Sequence, residues 1–330
     1  MKRRYPIALL ILVLAVLFLV MLCRPEQPRQ VRQTRLQLGT VVEITAFGPE
    51  DSTEDAVRGA FDEIDRVEAL MSSHRSDSEV SRFNQASRTA PLSVETLQVI
   101  EAGLRYSRLT GGTFDLALGK LIRLWGFDSD RQKVPEPTAL EEALKTSGEG
   151  ALRLEDGELV KRSPAVQIDL GGIAKGFAVD RAIDVLRQHG ITAASVNAGG
   201  DIRLLGRRPD RLWRVALQHP RKRDGLLGTL AVEDVAVVTS GDYERFFELK
   251  GKRYHHLLDP RTGYPGRLCQ GVTVIANSAM AADALATSAF ILGPEAGIGL
   301  LEQERVDGVI VDAAGGIHTT AGFREQVTWY

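Results

Sequence analysis

Asp283 and Thr287 lie four residues apart in Asn277-Ser-Ala-Met-Ala-Ala-Asp-Ala-Leu-Ala-Thr-Ser-Ala-Phe290, so in a helix they share one face. The stretch is apolar and alanine-rich, with Asn277 or Ser278 placed to cap it. A carboxylate on such a helix is costly to bury without a partner. A hard cation would supply one, with the Thr287 hydroxyl as a second oxygen ligand and phosphate oxygens completing the shell. The plainer alternative is an Asp283 facing solvent and a Thr287 bonded back to its own helix. In His255-His256-Leu-Leu-Asp-Pro-Arg-Thr-Gly-Tyr-Pro265 a strand runs into a turn fixed by Pro260 and Gly263. A histidine pair there suits a general base or a ligand contact, or a purely structural role.

A third candidate is Gln167-Ile-Asp-Leu-Gly-Gly-Ile-Ala-Lys-Gly-Phe-Ala-Val-Asp180, which reads as a short apolar strand, a glycine turn and a helix to about Gly190. Free N–H groups at that helix start, with Lys175 adding positive charge at the mouth of the loop, suit a phosphate or pyrophosphate. The stretch matches neither the dinucleotide nor the P-loop pattern, so a tight turn with a surface lysine explains it equally well. Thr110-Gly-Gly-Thr-Phe-Asp115 and Asn197-Ala-Gly-Gly-Asp201 are further glycine turns where backbone can approach a ligand. The polar loop Ser72 to Asn84 reads as leading into a capping box of Ser76 with Glu79. Three glycine turns and one metal-type helix outline a site for an extended, phosphate-bearing ligand.

The elements that must position these groups follow from pattern. Leu36–Ala46 is strand-like, and 51–71 is an amphipathic helix with Ala56, Ala60, Ile64, Val67 and Leu70 on one face. Helices follow at about 93–109, 116–125 and 140–145. Strands are expected near 194–196, 202–205, 213–218, 228–232, 235–239 and 271–276, with a hairpin through 246–258. A helix at 278–292 precedes a tail of one helix and two strands ending at 317–319. Strands outnumber helical crossovers in the second half, which argues for an antiparallel or mixed sheet over a doubly wound one.

The 330 residues carry 41 Lys and Arg against 43 Asp and Glu, a net charge of −2, so nothing argues for a nucleic-acid surface. With only Cys23 and Cys269, an internal disulfide in the body and a thiol-zinc site are both excluded. Lys2, Arg3 and Arg4 precede an unbroken apolar run of 17 residues, Ile7 to Cys23. As a helix it would span ~25 Å, short for a bilayer but sufficient to enter one. No small residues follow to suit signal cleavage, and Leu22 is bulky for lipoprotein processing at Cys23. Residues 1–23 are therefore expected to be an uncleaved anchor or signal segment, with the body exported. Residues 24–34 are read as a linker and 35–330 as one functional domain.

Taken together, these segments closely resemble the ApbE family, the FAD:protein FMN transferases. The likeness runs from about Leu38 to Leu292 through eight ordered motifs: Leu38-Gly39-Thr40, MSSHRSDSEVSRFN, GGTFDLALGKLIRLWGF, IDLGGIAKGFAVD, VNAGGDIRLLG, TSGDYERFF, HHLLDPRTGYP and AADALAT. The resemblance implies an α+β body, a mixed or antiparallel sheet core flanked by helices, with FAD in a cleft between two lobes. It implies FAD contacts at Leu38, His74, Thr113, Phe114, Asp115, Asp169, Lys175 and Leu258. Asp283, Thr287 and the backbone of Gly172 match Mg²⁺ ligands, and His256 matches a histidine near the reacting phosphate. Two positions depart from the pattern: His74 stands where an aromatic ring, commonly tyrosine, is usual, and Ala286 where some relatives have a second acidic ligand. The implied reaction carries FMN from FAD to a threonine hydroxyl of an acceptor protein, releasing AMP, with Asp283 or His256 as base. The acceptor is expected to be a membrane redox subunit, and the body is expected on the periplasmic side of the inner membrane. Two rivals are hydrolysis of FAD to FMN and AMP at the same site, and non-catalytic FAD binding.

Overall fold

The structure, a computed structural model, describes residues 29–127, 129 and 132–330. Hairpin β1 (Arg29–Gln37) and β2 (Thr40–Gly48) leads into α1 (Glu50–Met71), α2 (Glu79–Gln85), α3 (Val94–Leu109), α4 (Gly119–Trp125) and α5 (Pro137–Leu144). Hairpin β3 (Leu152–Glu155) and β4 (Glu158–Lys161) precedes α6 (Ala174–Gln188). Strands β5 (Ala193–Ala198), β6 (Asp201–Leu205), β7 (Trp213–Gln218), β8 (Leu226–Val232), β9 (Ala236–Gly241), β10 (Phe246–Leu249), β11 (Lys252–His255) and β12 (Cys269–Ala276) follow. The chain closes with α7 (Ala279–Leu292), α8 (Pro294–Gln303), β13 (Asp307–Asp312), β14 (Ile317–Thr319), α9 (Ala321–Gln326) and β15 (Val327–Trp329).

An eight-stranded sheet in the order β1-β2-β5-β6-β9-β12-β13-β14 organises the molecule, and all its pairings are antiparallel. Helices α1, α6, α7 and α8 cover one face. The α1 stripe of Ala56, Ala60, Ile64 and Val67, joined by Phe61 and Met71, is buried. On the other face the three-stranded sheet β15-β8-β7 packs Trp213, Val215, Leu217 and Leu230 against Val237, Ile275 and Val309. Sandwiched between these layers, β12 is buried at all eight positions. Its Val272, Val274 and Ala276 join the helical core, while Ile275 joins the other. Fully burying a Phe or Ile side chain contributes about 1.5–3 kcal/mol, so this double layer is the rigid part of the fold. A third cluster around Trp125 unites α4, α5 and the β10–β11 hairpin, with Phe127, Leu140, Leu258, Phe247 and Tyr254 packed together. It forms the smaller lobe.

Helix α7 has little apolar asymmetry because ten of its residues are buried on nearly every side. Its small side chains let α6 approach so closely that a Cβ on Gly176 would lie 2.2 Å from the Ala279 carbonyl oxygen. The two helices are also tied by Asp180 of α6, which accepts hydrogen bonds from Ser278 Oγ, Ala279 N and Met280 N at 2.7, 2.8 and 2.9 Å. Ser278 is the α7 cap, accepting from Ala281 N.

Several expectations are corrected. Residues 29–34 are no linker; they form the first part of β1, an edge strand with only Val31 and Gln37 buried. The anchor assigned to 1–23 and the rest of the linker lie outside the described residues. Residues 166–170 belong to no strand. Instead, Asn84 grips Ile168 in both directions, Nδ2 to its carbonyl at 2.8 Å and its N–H to Oδ1 at 2.7 Å. The Ser76–Glu79 capping box does not form, because Ser78 caps α2. Glu79 instead accepts from Ser93 N, Ser93 Oγ and Thr96 Oγ1, fastening the start of α3. The β3–β4 hairpin, α9 and β15 were not foreseen.

Candidate functional site

Two connected chambers open between the lobes, an inner one of about 120 Å³ and an outer one of about 600 Å³. Phe127, Asp169, Gly171, Lys175 and Arg245 border both.

The inner chamber is built where α6 begins, where α7 passes its midpoint, and where β9 and β11 end. Asp283 is 3% exposed, and its Oδ2 accepts the Gly176 N–H at 3.1 Å. It therefore turns inward, and the solvent-facing alternative fails. Burial and the nearby Asp201 charge, partly offset by Lys175, push its carboxyl up to about 7. Thr287 lies one turn on, its hydroxyl 3.4 Å from Ser240 Oγ. A Cβ on Gly172 would sit 3.3 Å from Phe114 and 3.6 Å from Thr287 Oγ1, so a bare backbone is what fits there. Lys175 is not the surface charge at the loop mouth that its position suggested. Its Nζ turns in to Asp201 Oδ2 at 2.6 Å; burial opposes its charge, but Asp201, Asp283 and Glu244 more than offset that and hold it firmly protonated. Glu244 faces the open cleft, yet the surrounding walls and Asp201 raise its carboxyl to about 7.

His256 also lines this chamber. Burial, helped by the Arg245 charge, holds its pKa well below the usual value, so the imidazole is neutral. Its Nδ1 is buried without a partner. His255 points away, bonding the Gly266 carbonyl at 2.8 Å.

Phe114 and Leu258 supply the apolar side of the inner chamber. Thr113 is held inward by its hydroxyl, which donates to the Thr110 carbonyl at 2.9 Å. Asp115 spends both oxygens on backbone, accepting from Ala117 N at 2.8 Å and Gly148 N at 2.7 Å; burial raises its pKa. Asp169 accepts from Ser73 Oγ at 2.6 Å and Gly171 N at 2.8 Å, linking the Ser72–Asn84 loop to the glycine turn.

Leu38 and His74 border the outer chamber instead. Leu38 occupies the hairpin turn at φ 54°, and its N–H donates to Glu68 Oε2 at 2.9 Å. His74 is exposed. The structure thus distributes the twelve residues singled out in sequence over two adjoining walls. Sequence reasoning passed over Asp201, Glu244 and Arg245, although each stands in a quoted motif (VNAGGD and TSGDYERFF). The available signal was charge beside glycine turns.

Three carboxylates, Asp201, Glu244 and Asp283, thus share Lys175, with Arg245 at the rim. Among the described residues no three His, Cys, Asp or Glu side chains converge on a metal position. A soft-metal cage is not what this donor set builds. One buried carboxylate, a hydroxyl and a backbone turn do fit a hard divalent cation that takes its remaining ligands from phosphate and water.

The family model described as the ApbE family matches residues 38–310. A FAD:protein FMN transferase of Vibrio cholerae is 36% identical over 277 residues, covering 81% of each chain. One of Treponema pallidum is 33% identical over 324 residues, 91% of this chain and 89% of that one. Among solved structures, the ApbE protein of Thermotoga maritima superposes with a TM-score of 0.84 at 32% identity, covering 91% of this chain and 100% of its own. The flavin transferase ApbE of Vibrio cholerae gives 0.82 at 31% identity, with 91% and 99% covered.

Proposed function

The chain belongs to the ApbE family, and on that premise we propose that it transfers FMN from FAD to a threonine hydroxyl of an acceptor protein in a Mg²⁺-dependent reaction. The observation that carries this reading is the inner wall. There Asp283 lies buried on α7 beside Thr287 and the bare Gly172 backbone, at the start of α6.

Asp283, Thr287 and the Gly172 carbonyl would hold the cation, which when bound neutralises charge on the pyrophosphate oxygens. The chain's own groups do the rest. The expected free donors at the α6 start are spent, since the Ile173 and Ala174 N–H groups go to the Leu170 carbonyl and that of Gly176 to Asp283. Lys175, pinned to Asp201, is therefore what fixes positive charge beside the phosphates. Phe114 and Leu258 exclude water from the apolar side. The acceptor oxygen forms a bond to the FMN phosphorus, and the bond from that phosphorus to the bridging oxygen breaks. The threonine proton passes to Asp283 or to the His256 imidazole, and AMP leaves carrying the bridging oxygen. The apolar run at 7–23 would hold the body at the outer side of the inner membrane, where the acceptor, a membrane redox subunit, presents its threonine. Among the described residues no helix is long and apolar enough to cross a membrane.

The test incubates the full chain with FAD, an acceptor subunit, and either Mg²⁺ or EDTA. AMP release together with flavin fluorescence that stays on the denatured acceptor, only with Mg²⁺, is the expected result. AMP released with no labelled acceptor would make the protein an FAD hydrolase. FAD bound with no AMP would make it a binding protein.

A further inference from the structure

Residues 207–223 contain seven Lys and Arg against one acid, Asp210, in a chain of net charge −2. None of these cations lines either chamber. They fall into two groups at opposite ends of β7, and the group before and at its start is the informative one. Arg207, Arg211 and Arg214 are exposed. The side chains of Arg207 and Arg214 make no ion pair or hydrogen bond among the described residues. Arg211 reaches only Asp210, at 3.8 Å, and Arg208 already holds that carboxylate at 3.2 Å. The loop therefore carries positive charge that the protein does not neutralise.

Its place in the fold matters as much as its charge. Arg208 lies over the rings of Phe47 and Trp213, 4.9 and 5.5 Å from their centroids, and those rings are 6.0 Å apart. Phe47 and Gly48 pair with Gln30 and Arg29 at the start of β1. The basic loop thus sits where the chain enters the described fold. Five residues, Arg24 to Pro28, separate that point from the apolar run ending at Cys23. Fully extended they reach at most ~17 Å. A membrane holding the apolar run would hold Arg207, Arg211 and Arg214 within reach of its headgroups.

We propose that this end of the molecule is a docking surface for anionic lipid headgroups, contacted by Arg207, Arg211 and Arg214 beside the entry of β1. The surface orients the body on the bilayer rather than leaving it to tumble on a tether. It rests on the reading of residues 7–23 as a membrane segment. Each cation near an anionic surface strengthens contact by about fivefold, and salt screens it.

The test reconstitutes the full chain with vesicles of phosphatidylcholine alone or with phosphatidylglycerol mixed in, and measures flotation and amide exchange. Flotation with both is expected, with exchange across 206–216 slowed by about fivefold or more only where phosphatidylglycerol is present. High salt should reverse the slowing. A variant combining Arg207→Gln, Arg211→Gln and Arg214→Gln should float unchanged and lose the lipid-dependent slowing. Flotation with no lipid-dependent difference in exchange would overturn the docking surface alone. A chain that floats with neither vesicle would overturn the membrane reading and the surface with it. Slowing that needs the acceptor subunit, whatever the lipid, would assign the patch to a protein and overturn the lipid reading.

Discussion

The inner and outer chambers share a border but are built by opposite means. The inner wall consists of two helices locked together, with Asp283 gripped by the Gly176 N–H, Asp180 holding the first turn of α7, and Lys175 paired to Asp201. The outer wall sets the end of α1, with Val67, Glu68 and Met71, against turns, and its Leu38 and His74 are positioned by a hairpin bend and a loop tied through Ser73 to Asp169. Charge is concentrated inside, where low exposure magnifies every interaction. Shape and reach are left to the outside. Chemistry should therefore depend steeply on the inner wall, and affinity shallowly on the outer.

Asp283→Ala should have the largest effect, lowering FMN transfer by about 10³-fold or more while FAD binding, followed by flavin fluorescence, changes little. Equal loss of binding and transfer would break the contrast. Next, Gly176→Ala pushes a Cβ into the Ala279 carbonyl and should destabilise by about 2–3 kcal/mol in denaturant unfolding. Gly39→Ala at the outer turn, at φ 67° but with nothing within 4 Å, should cost about 1 kcal/mol. Third, Asn84→Ala leaves the Ile168 N–H and carbonyl unpaired and should cost about 1–3 kcal/mol, with kcat falling more than KM rises. His74→Tyr should be milder, lowering KM for FAD by about fivefold through ring stacking at unchanged kcat.

The smallest effect is on pH. In EDTA, Asp283 titrates near 7 when folded and near 4 when unfolded. Its ionisation penalty is then fully present above pH 7 and is relieved as pH falls toward 4. The melting temperature should thus rise by about 1 °C from pH 8 to 6.5 through Asp283, and in Asp283→Asn the rise should shrink to the part owed to Glu244, whose carboxyl is also raised to about 7. Below 6.5 the neutral His256 acts in the opposite sense, since its depressed pKa costs stability as an unfolded histidine gains its proton. Absence of the Asp283-dependent slope would mean that the carboxylate is better solvated than its burial indicates.

The inner wall was also the more legible in sequence. The Asp283 to Thr287 spacing on an alanine helix was the local sign of a site, since a carboxylate breaks the rule that buried helices are apolar, whereas the glycine turn before Lys175 read equally well as a plain tight turn. The antiparallel sheet followed from the density of strands. What escaped had weak or misread signals. Strand β1 is an edge whose exposed Arg29, Arg32 and Thr34 mimic a linker. Asp156-Gly157, at φ 50° and 82°, is the two-residue hairpin turn that joins β3 to β4, and its dipeptide was there to be read. Asp201 and Glu244 became site residues only when strands distant in sequence, β6 and β9, paired side by side. No local pattern encodes that adjacency.

The clamp by Asp180 has a mechanical consequence. It satisfies the donors at the start of α7, while Gly176 and Asp283 tie the same two helices at a second point. Two fixed points forbid sliding and limit rotation, so α6 and α7 move as one strut. The opposite border of the cleft is held by single tethers instead, Leu38 N–H to Glu68 and Ser73 Oγ to Asp169. The paired helices are therefore the stiff side of the cleft, and the groups they carry keep their spacing.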